Sequence, residues 1–167
     1  CIEASGDVVL NGLACSANGQ AAAGYGGGGS GGSIFISCRT ISGNATLRAN
    51  GGNRSTPERA ASGGGGRIAV HYNPALQTSI PNLRFEANPG RSGGFAMGDA
   101  DPGTIWFTNA LFVTETIDRL SGQLVIPGFT TWSPNTLLIT NCWVRFPADG
   151  FKLKVTGDMT VGTDNDL

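Results

Sequence analysis

The stretch GYGGGGSGGSIFI, residues 24–36, sets a run of glycines directly against a β-branched apolar strand, and its reading decides the fold. Gly24, Gly26 and Gly29 formally satisfy G-x-G-x-x-G, the pattern of a phosphate-cradling loop. That mechanism needs a strand before the loop and a helix after it, whose first amides hold the phosphate. Here a strand follows instead, at 33–37, and no Gly-Lys-Ser/Thr occurs in the chain. In so glycine-rich a run the match is nearly automatic, and the nucleotide reading falls.

The run is one copy of a repeat. LACSANG (13–19), ATLRANG (45–51) and LRFEANP (83–89) align, and so do GSIFI (32–36), GRIAV (66–70) and GTIWF (103–107). The period is about 35 residues, and each copy reads strand, glycine-bearing loop, strand. Period-two alternation assigns the faces. Cys15/Leu47/Phe85 and Ala17/Ala49/Ala87 point inward on the first strand, as do Ile34/Ile68/Ile105 and Ile36/Val70/Phe107 on the second; Phe35/Ala69/Trp106 point outward. Equivalent side chains recurring in columns are the signature of a solenoid, whose coils bury their inner faces by stacking on one another. The glycines are expected at tight corners, where positive φ is needed and a Cβ would strike the next coil. Asn18, Asn50 and Asn88 suit the same corners and are expected to pair up their column.

These patterns predict an all-β chain with very little helix, a right-handed parallel β-helix with Gly-rich loops. A single solenoid domain is expected over 1–167, regular over 1–110 and less regular over 111–167, where short strands near 124–126, 136–140, 142–146 and 151–156 are separated by Pro127, Pro134 and Pro147. Glycine supplies 27 of the 167 residues, yet 40% of the chain is apolar and the formal net charge is −1, so the composition is that of a folding chain. A pI of about 5.7 and only two lysines argue against nucleic acid. No stretch of about 18 apolar residues offers membrane insertion.

The string GGGGSGGSIFISCRTISGNATLRANGGN, with GGGGRIAVHYN further on, resembles the glycine-rich repeats of large extracellular or cell-surface bacterial proteins, typically read as right-handed parallel β-helices. The likeness covers roughly residues 12–109, and VTGDMTVGT at 155–163 resembles the adjoining segments of such proteins. It implies architecture far more than function, because the fold also serves sugar-cleaving enzymes and adhesins.

Chemistry is sparse. Asp99 and Asp101 in GDADPG could set two carboxylates on one side of a loop and are the candidate calcium ligands; Asp164 and Asp166 form a second, weaker pair. Both sit in ordinary turn sequences, and no catalytic residue is assigned. His71 falls on the outward face with no acid or nucleophile in register, as a solvated histidine would. Phe35 and Trp106 share an outward column on which a sugar could stack, with Tyr25, Trp132 and Trp143 as further flat faces. Cys1, Cys15, Cys38 and Cys142 form no C-x-x-C pair, and disulfides are expected: Cys15 with Cys38 between neighbouring strands, Cys1 with Cys142 or with another subunit.

The chain starts at Cys1 without a methionine, as a processed chain or a fragment would. SGDVVLNG near the start and TGDMTVGT near the finish share one idiom, and neither reads as a polar cap. The leading expectation is therefore an extracellular structural protein, the repeat unit or fragment of a filament, sheath or surface fibre assembled by end-to-end self-association. No cofactor is expected of it; the runner-up is a β-helix that binds or cleaves polysaccharide, for which calcium is the candidate ion.

Overall fold

The computed structural model describes residues 1–12, 14–23, 26–54, 61–91 and 100–162. The chain runs through β1 (Ile2–Glu3), β2 (Val8–Leu10) and β3 (Ala14–Ser16), then β4 (Ser33–Ser37), β5 (Ile41–Gly43) and β6 (Thr46–Arg48). A third passage gives β7 (Arg67–His71), β8 (Arg84–Glu86) and β9 (Thr104–Phe107). Beyond a 3-10 turn at Ala110–Phe112 come β10 (Thr116–Ile117), β11 (Leu120–Val125), β12 (Thr131–Trp132), β13 (Leu137–Ile139), β14 (Val144–Arg145), β15 (Lys152–Leu153) and β16 (Met159–Val161). That turn is the single helical element among the described residues.

Every strand pairing is parallel, and the registers join equivalent repeat positions. In the first ladder, Ile34 faces Ile68, Ile68 faces Ile105 and Ile105 faces Leu124. In the second, Cys15 faces Leu47, Leu47 faces Phe85 and Phe85 faces Leu120. β11 belongs to both, since residues 120–121 pair with β8 and residues 123–125 with β9. The bend between them falls at Gly122, at a φ of 154° that L side chains rarely adopt. The two ladders thereby become one curled nine-stranded sheet, while β10, β13 and β16 form a separate three-stranded sheet.

The core is the set of inward columns. Ile36, Leu47, Ala49, Ile68, Val70, Ala87, Ile105 and Phe107 are completely buried. A ring cluster of Tyr72, Phe85, Phe107 and Phe112 closes it where the third passage ends, with centroids 4.9 to 6.4 Å apart.

The glycine runs depart from expectation. The positive-φ glycines of the described chain are Gly12, Gly43, Gly122, Gly128 and Gly150, all outside the runs. The runs are instead extended segments bonded to one another every third residue. Gly32 and Gly29 donate to the carbonyls of Ala17 and Gln20, Gly66 and Gly63 to Ala49 and Gly52, Gly31 and Gly28 to Gly64 and Ala61. This three-residue step, with these partners in other segments, matches the three-residue turn of polyproline II chains, which have no internal hydrogen bonds. The segments pack backbone to backbone in two layers. A Cβ on Gly52 would fall on the Gln20 carbonyl, one on Gly28 on the Gly52 carbonyl, and one on Gly63 on the Gly29 carbonyl. Glycine is needed here for its missing side chain, and positive φ plays no part.

The asparagine column forms as expected, in one specific way: the Asn18 Oδ1 accepts the Asn50 backbone N–H at 2.9 Å, and the Asn50 Oδ1 accepts that of Asn88 at 2.8 Å. Gln77 does something no sequence pattern announced. Buried at 3% exposure, its amide accepts the Ile41 N–H at 2.7 Å and donates to the Ile41 carbonyl at 3.1 Å, standing in for the next strand on β5.

Gly52→Ala is expected to cost at least about 3 kcal/mol, because the obstructing atoms are backbone and cannot swing away. Gly6→Ala, at an open position with no heavy atom within 4 Å, should stay within about 0.5 kcal/mol of the parent. Urea unfolding of the two variants side by side checks this; equal losses would remove the close-packing account.

Candidate functional site

The outward residues of the first ladder form three columns. One holds Ser33, Arg67, Thr104, Gln123 and Arg145; the next holds Phe35, Ala69, Trp106 and Val125; the third holds Glu3, Ser37 and His71. Phe35 is 40% exposed, and Arg67, His71 and Arg145 are exposed as well. The small Ala69 therefore lies between two aromatic neighbours on the flanking strands, with Arg67 and His71 before and after it on its own strand. The imidazole of His71 lies parallel to the Trp106 indole, at a centroid distance of 5.9 Å and an interplanar angle of 4°. Sequence parity placed His71 outward correctly but missed this stack, whose signal is diagonal: His71 is two residues beyond Ala69, the register partner of Trp106.

A second polar group occupies the outer face of the other ladder. Glu86 is held between two guanidinium groups, accepting from Arg48 Nε at 2.8 Å and Arg84 Nε at 2.6 Å. Arg84 also donates to the carbonyls of Asp118 and Asn141, tying four stretches of chain together. Burial pushes the Glu86 carboxyl up, but the hydrogen bonds and charges of the two arginines outweigh it and hold the group below its ordinary value. Hydrogen bonds from Arg39 and Thr40 hold Asp7 well below the carboxylate range, and the backbone N–H groups of Asn135 and Thr136 lower Glu115. Each of these carboxylates bonds a neighbouring rung, as fits a structural role.

The remaining candidates are placed as follows. Asp99, Tyr25, Asp164 and Asp166 lie outside the described residues. Asp101 is exposed and takes part through its backbone carbonyl, which accepts the Gly65 N–H at 3.0 Å. Among the described residues no three His, Cys, Asp or Glu side chains converge as a metal site would require. A cleft lined by Ile80, Pro81, Phe85, Phe112 and Leu120 holds about 50 Å³, room for little more than water. Trp132 packs with Phe129 and Phe146 in a half-buried aromatic cluster, while Trp143 is 45% exposed. No helix among the described residues is long and apolar enough to cross a membrane.

The expected bridges between Cys15 and Cys38 and between Cys1 and Cys142 do not form: Cys1, Cys15 and Cys38 carry free thiols. Cys15 and Cys38 do both turn inward, but parity gives the face of a strand and leaves the ladder open. Cys15 sits on β3 opposite Leu47 in the second ladder, while Cys38 follows β4 in the first, where its thiol points to the His71 carbonyl. The Cys142 thiol approaches the Ile117 carbonyl at 3.1 Å.

No family model, curated protein or solved structure matches the chain, so neither its family nor its activity comes from likeness.

Two measurements follow. The three lowered carboxylates contribute stability that is complete above their ordinary values, 3.8 for Asp7 and 4.5 for Glu86 and Glu115, and is lost as pH falls through their depressed folded values. Thermal melts should therefore decline below about pH 4.5, and Glu86→Gln should flatten that decline while lowering neutral-pH stability by about 1–2 kcal/mol. Under native conditions Cys1, exposed, should react with a thiol reagent well before Cys38, which is buried and whose pKa burial and the nearby Asp7 raise. Cys1, Cys15 and Cys38 should all react after denaturation without reductant, as read by the masses of their labelled peptides.

Proposed function

We propose that this chain is an extracellular structural protein, a right-handed parallel β-helix whose rungs continue from one molecule into the next to build a filament, sheath or surface fibre. Handedness follows from the general rule that parallel strand–crossover–strand connections in one sheet are right-handed in about 98% of cases. Here each return from one rung to the next, β1 to β4 and β4 to β7, is such a connection.

One observation carries the reading. The inward apolar columns are sealed in mid-ladder and open at β1 and β16, while Val8 and Leu10 of β2 are buried. Ile36 is fully buried, while its partner Ile2 is 36% exposed; Leu137 is 1% exposed, while its partner Met159 is 50% and the neighbouring Val161 63%. β2 and β16 each pair on one side only, leaving a row of backbone donors and acceptors on the other. A further parallel rung would bury those side chains, at about 1.5–3 kcal/mol each, and complete both hydrogen-bond rows. A second copy brings such a rung, since β16 follows Gly157-Asp158 as β2 follows Gly6-Asp7. The contact is heterologous and does not close, so it propagates.

Electron microscopy of the purified chain across a concentration series tests the proposal. Unbranched fibres that lengthen with concentration are expected, with diffraction near the 4.8 Å strand spacing along the fibre axis. Asp residues introduced at Met159 and Val161 should leave the fold intact and abolish the fibres. Discrete particles at every concentration would overturn it.

A further inference from the structure

Asparagine followed by glycine is a chemically fragile unit, and it occurs three times here: Asn11-Gly12, Asn18-Gly19 and Asn50-Gly51. The glycine nitrogen attacks the asparagine Cγ, ammonia leaves, and water opens the resulting succinimide to aspartate or isoaspartate. With no Cβ on glycine, nothing shields the attacking nitrogen. Two groups must meet for this, the glycine N–H and the asparagine side chain, and the fold treats the three copies differently.

Asn18-Gly19 and Asn50-Gly51 lie in the asparagine column, where each is gripped twice by the asparagine of the next rung. The Asn18 Oδ1 accepts the Asn50 N–H at 2.9 Å, while the Gly19 N–H donates to the Asn50 carbonyl at 2.7 Å. One rung on, the Asn50 Oδ1 accepts the Asn88 N–H at 2.8 Å, and the Gly51 N–H donates to the Asn88 carbonyl at 2.9 Å. Both reacting groups are thus held by the neighbouring segment, and attack requires both bonds to break. Asn88 is the last asparagine of the column, and there the next residue is Pro89, whose ring nitrogen carries no proton to give up.

Asn11-Gly12 has half of this protection. The Gly12 N–H donates to the Asn44 Oδ1 at 2.8 Å, a side-chain acceptor on an exposed residue. Asn11 is itself exposed, and its side chain has no hydrogen-bond partner among the described residues. Gly12 adopts a φ of 65° with no heavy atom within 4 Å of the place a Cβ would take, so the attacking nitrogen is uncrowded.

We propose that Asn11 is a modification site, converting spontaneously to aspartate and isoaspartate in the folded chain, while the asparagine column keeps Asn18 and Asn50 intact. Water is the only co-reactant: the side-chain amide and water become a carboxylate and ammonium. Isoaspartate would add a backbone carbon and a negative charge just beyond β2, a strand paired on one side only. The proposal stands apart from filament formation, because every group involved belongs to one molecule.

The test is prolonged incubation of the folded chain in dilute, mildly alkaline buffer, with aspartate and isoaspartate at each asparagine read by peptide mass and chromatographic separation. Asn11 is expected to convert at least about tenfold faster than Asn18 or Asn50, each of which must break one hydrogen bond more. In urea the three should converge on one rate. Asn44→Ala, at an exposed position, should speed Asn11 about tenfold in the folded chain and leave Asn18 and Asn50 unchanged. Conversion of Asn18 or Asn50 as fast as Asn11 in the folded chain would overturn the proposal. So would an intact Asn11 under conditions where the denatured chain reacts, and an unchanged Asn11 rate in Asn44→Ala would overturn the role given to the Asn44 amide.

Discussion

The parallel rung spacing of about 4.8 Å is the constraint on which the rest of the structure depends. Once strands from successive passages lie in register at that distance, every position becomes a column, and a residue must suit its copies above and below as well as its own strand. Branched and aromatic side chains fill the inward columns because they stack without voids, as Ile34, Ile68 and Ile105 do. Asparagine suits its column because its side-chain oxygen meets the next rung's N–H at hydrogen-bonding distance. Charged groups pair between rungs for the same reason: Asp7 with Arg39 and Thr40, Glu86 with Arg48.

In the glycine-rich segments the same spacing acts on backbone alone. Two layers of extended chain approach until carbonyls occupy the places where Cβ atoms would sit, as Gly52 and Gln20 show. The hydrogen bonds then run between segments at three-residue steps, and the buried backbone is satisfied without sheet ladders. This explains the high glycine content: in these segments polar backbone packs against polar backbone with almost no side chains between. It also explains where the arrangement stops. β11 passes from the second ladder to the first through Gly122 alone, where earlier passages inserted a glycine-rich excursion, so the lobe ends with the third passage.

The ladders were legible in the sequence because two signals coincided, a repeat of about 35 residues and a period of two within each strand. Together they gave both the rung and the face of Leu47, Phe85, Ile68 and Trp106, and burial follows those assignments. What was not legible lies between ladders. Parity turns Cys15 and Cys38 inward, but neither parity nor repeat says that they belong to different ladders, and so a bridge was expected where none forms. The glycine runs were read as corners because positive φ is the usual reason for glycine; spacings of three, as in Gly28 and Gly31 or Gly63 and Gly66, were the fainter sign of extended packing. The Gln77 contact spans 36 residues and copies a strand with a side chain, an arrangement for which local sequence has no marker.

Gln77 also clarifies what the edges mean. Where the third passage leaves the β2–β5 ladder, the chain spends a buried amide to satisfy the Ile41 backbone on both donor and acceptor sides. The fold can therefore close a strand edge with one side chain. Among the described residues no side chain does the same for β2 or β16. The outer face obeys a different rule. It contributes little to packing, so its columns are free to vary from rung to rung, as Phe35, Ala69, Trp106 and Val125 do in one of them.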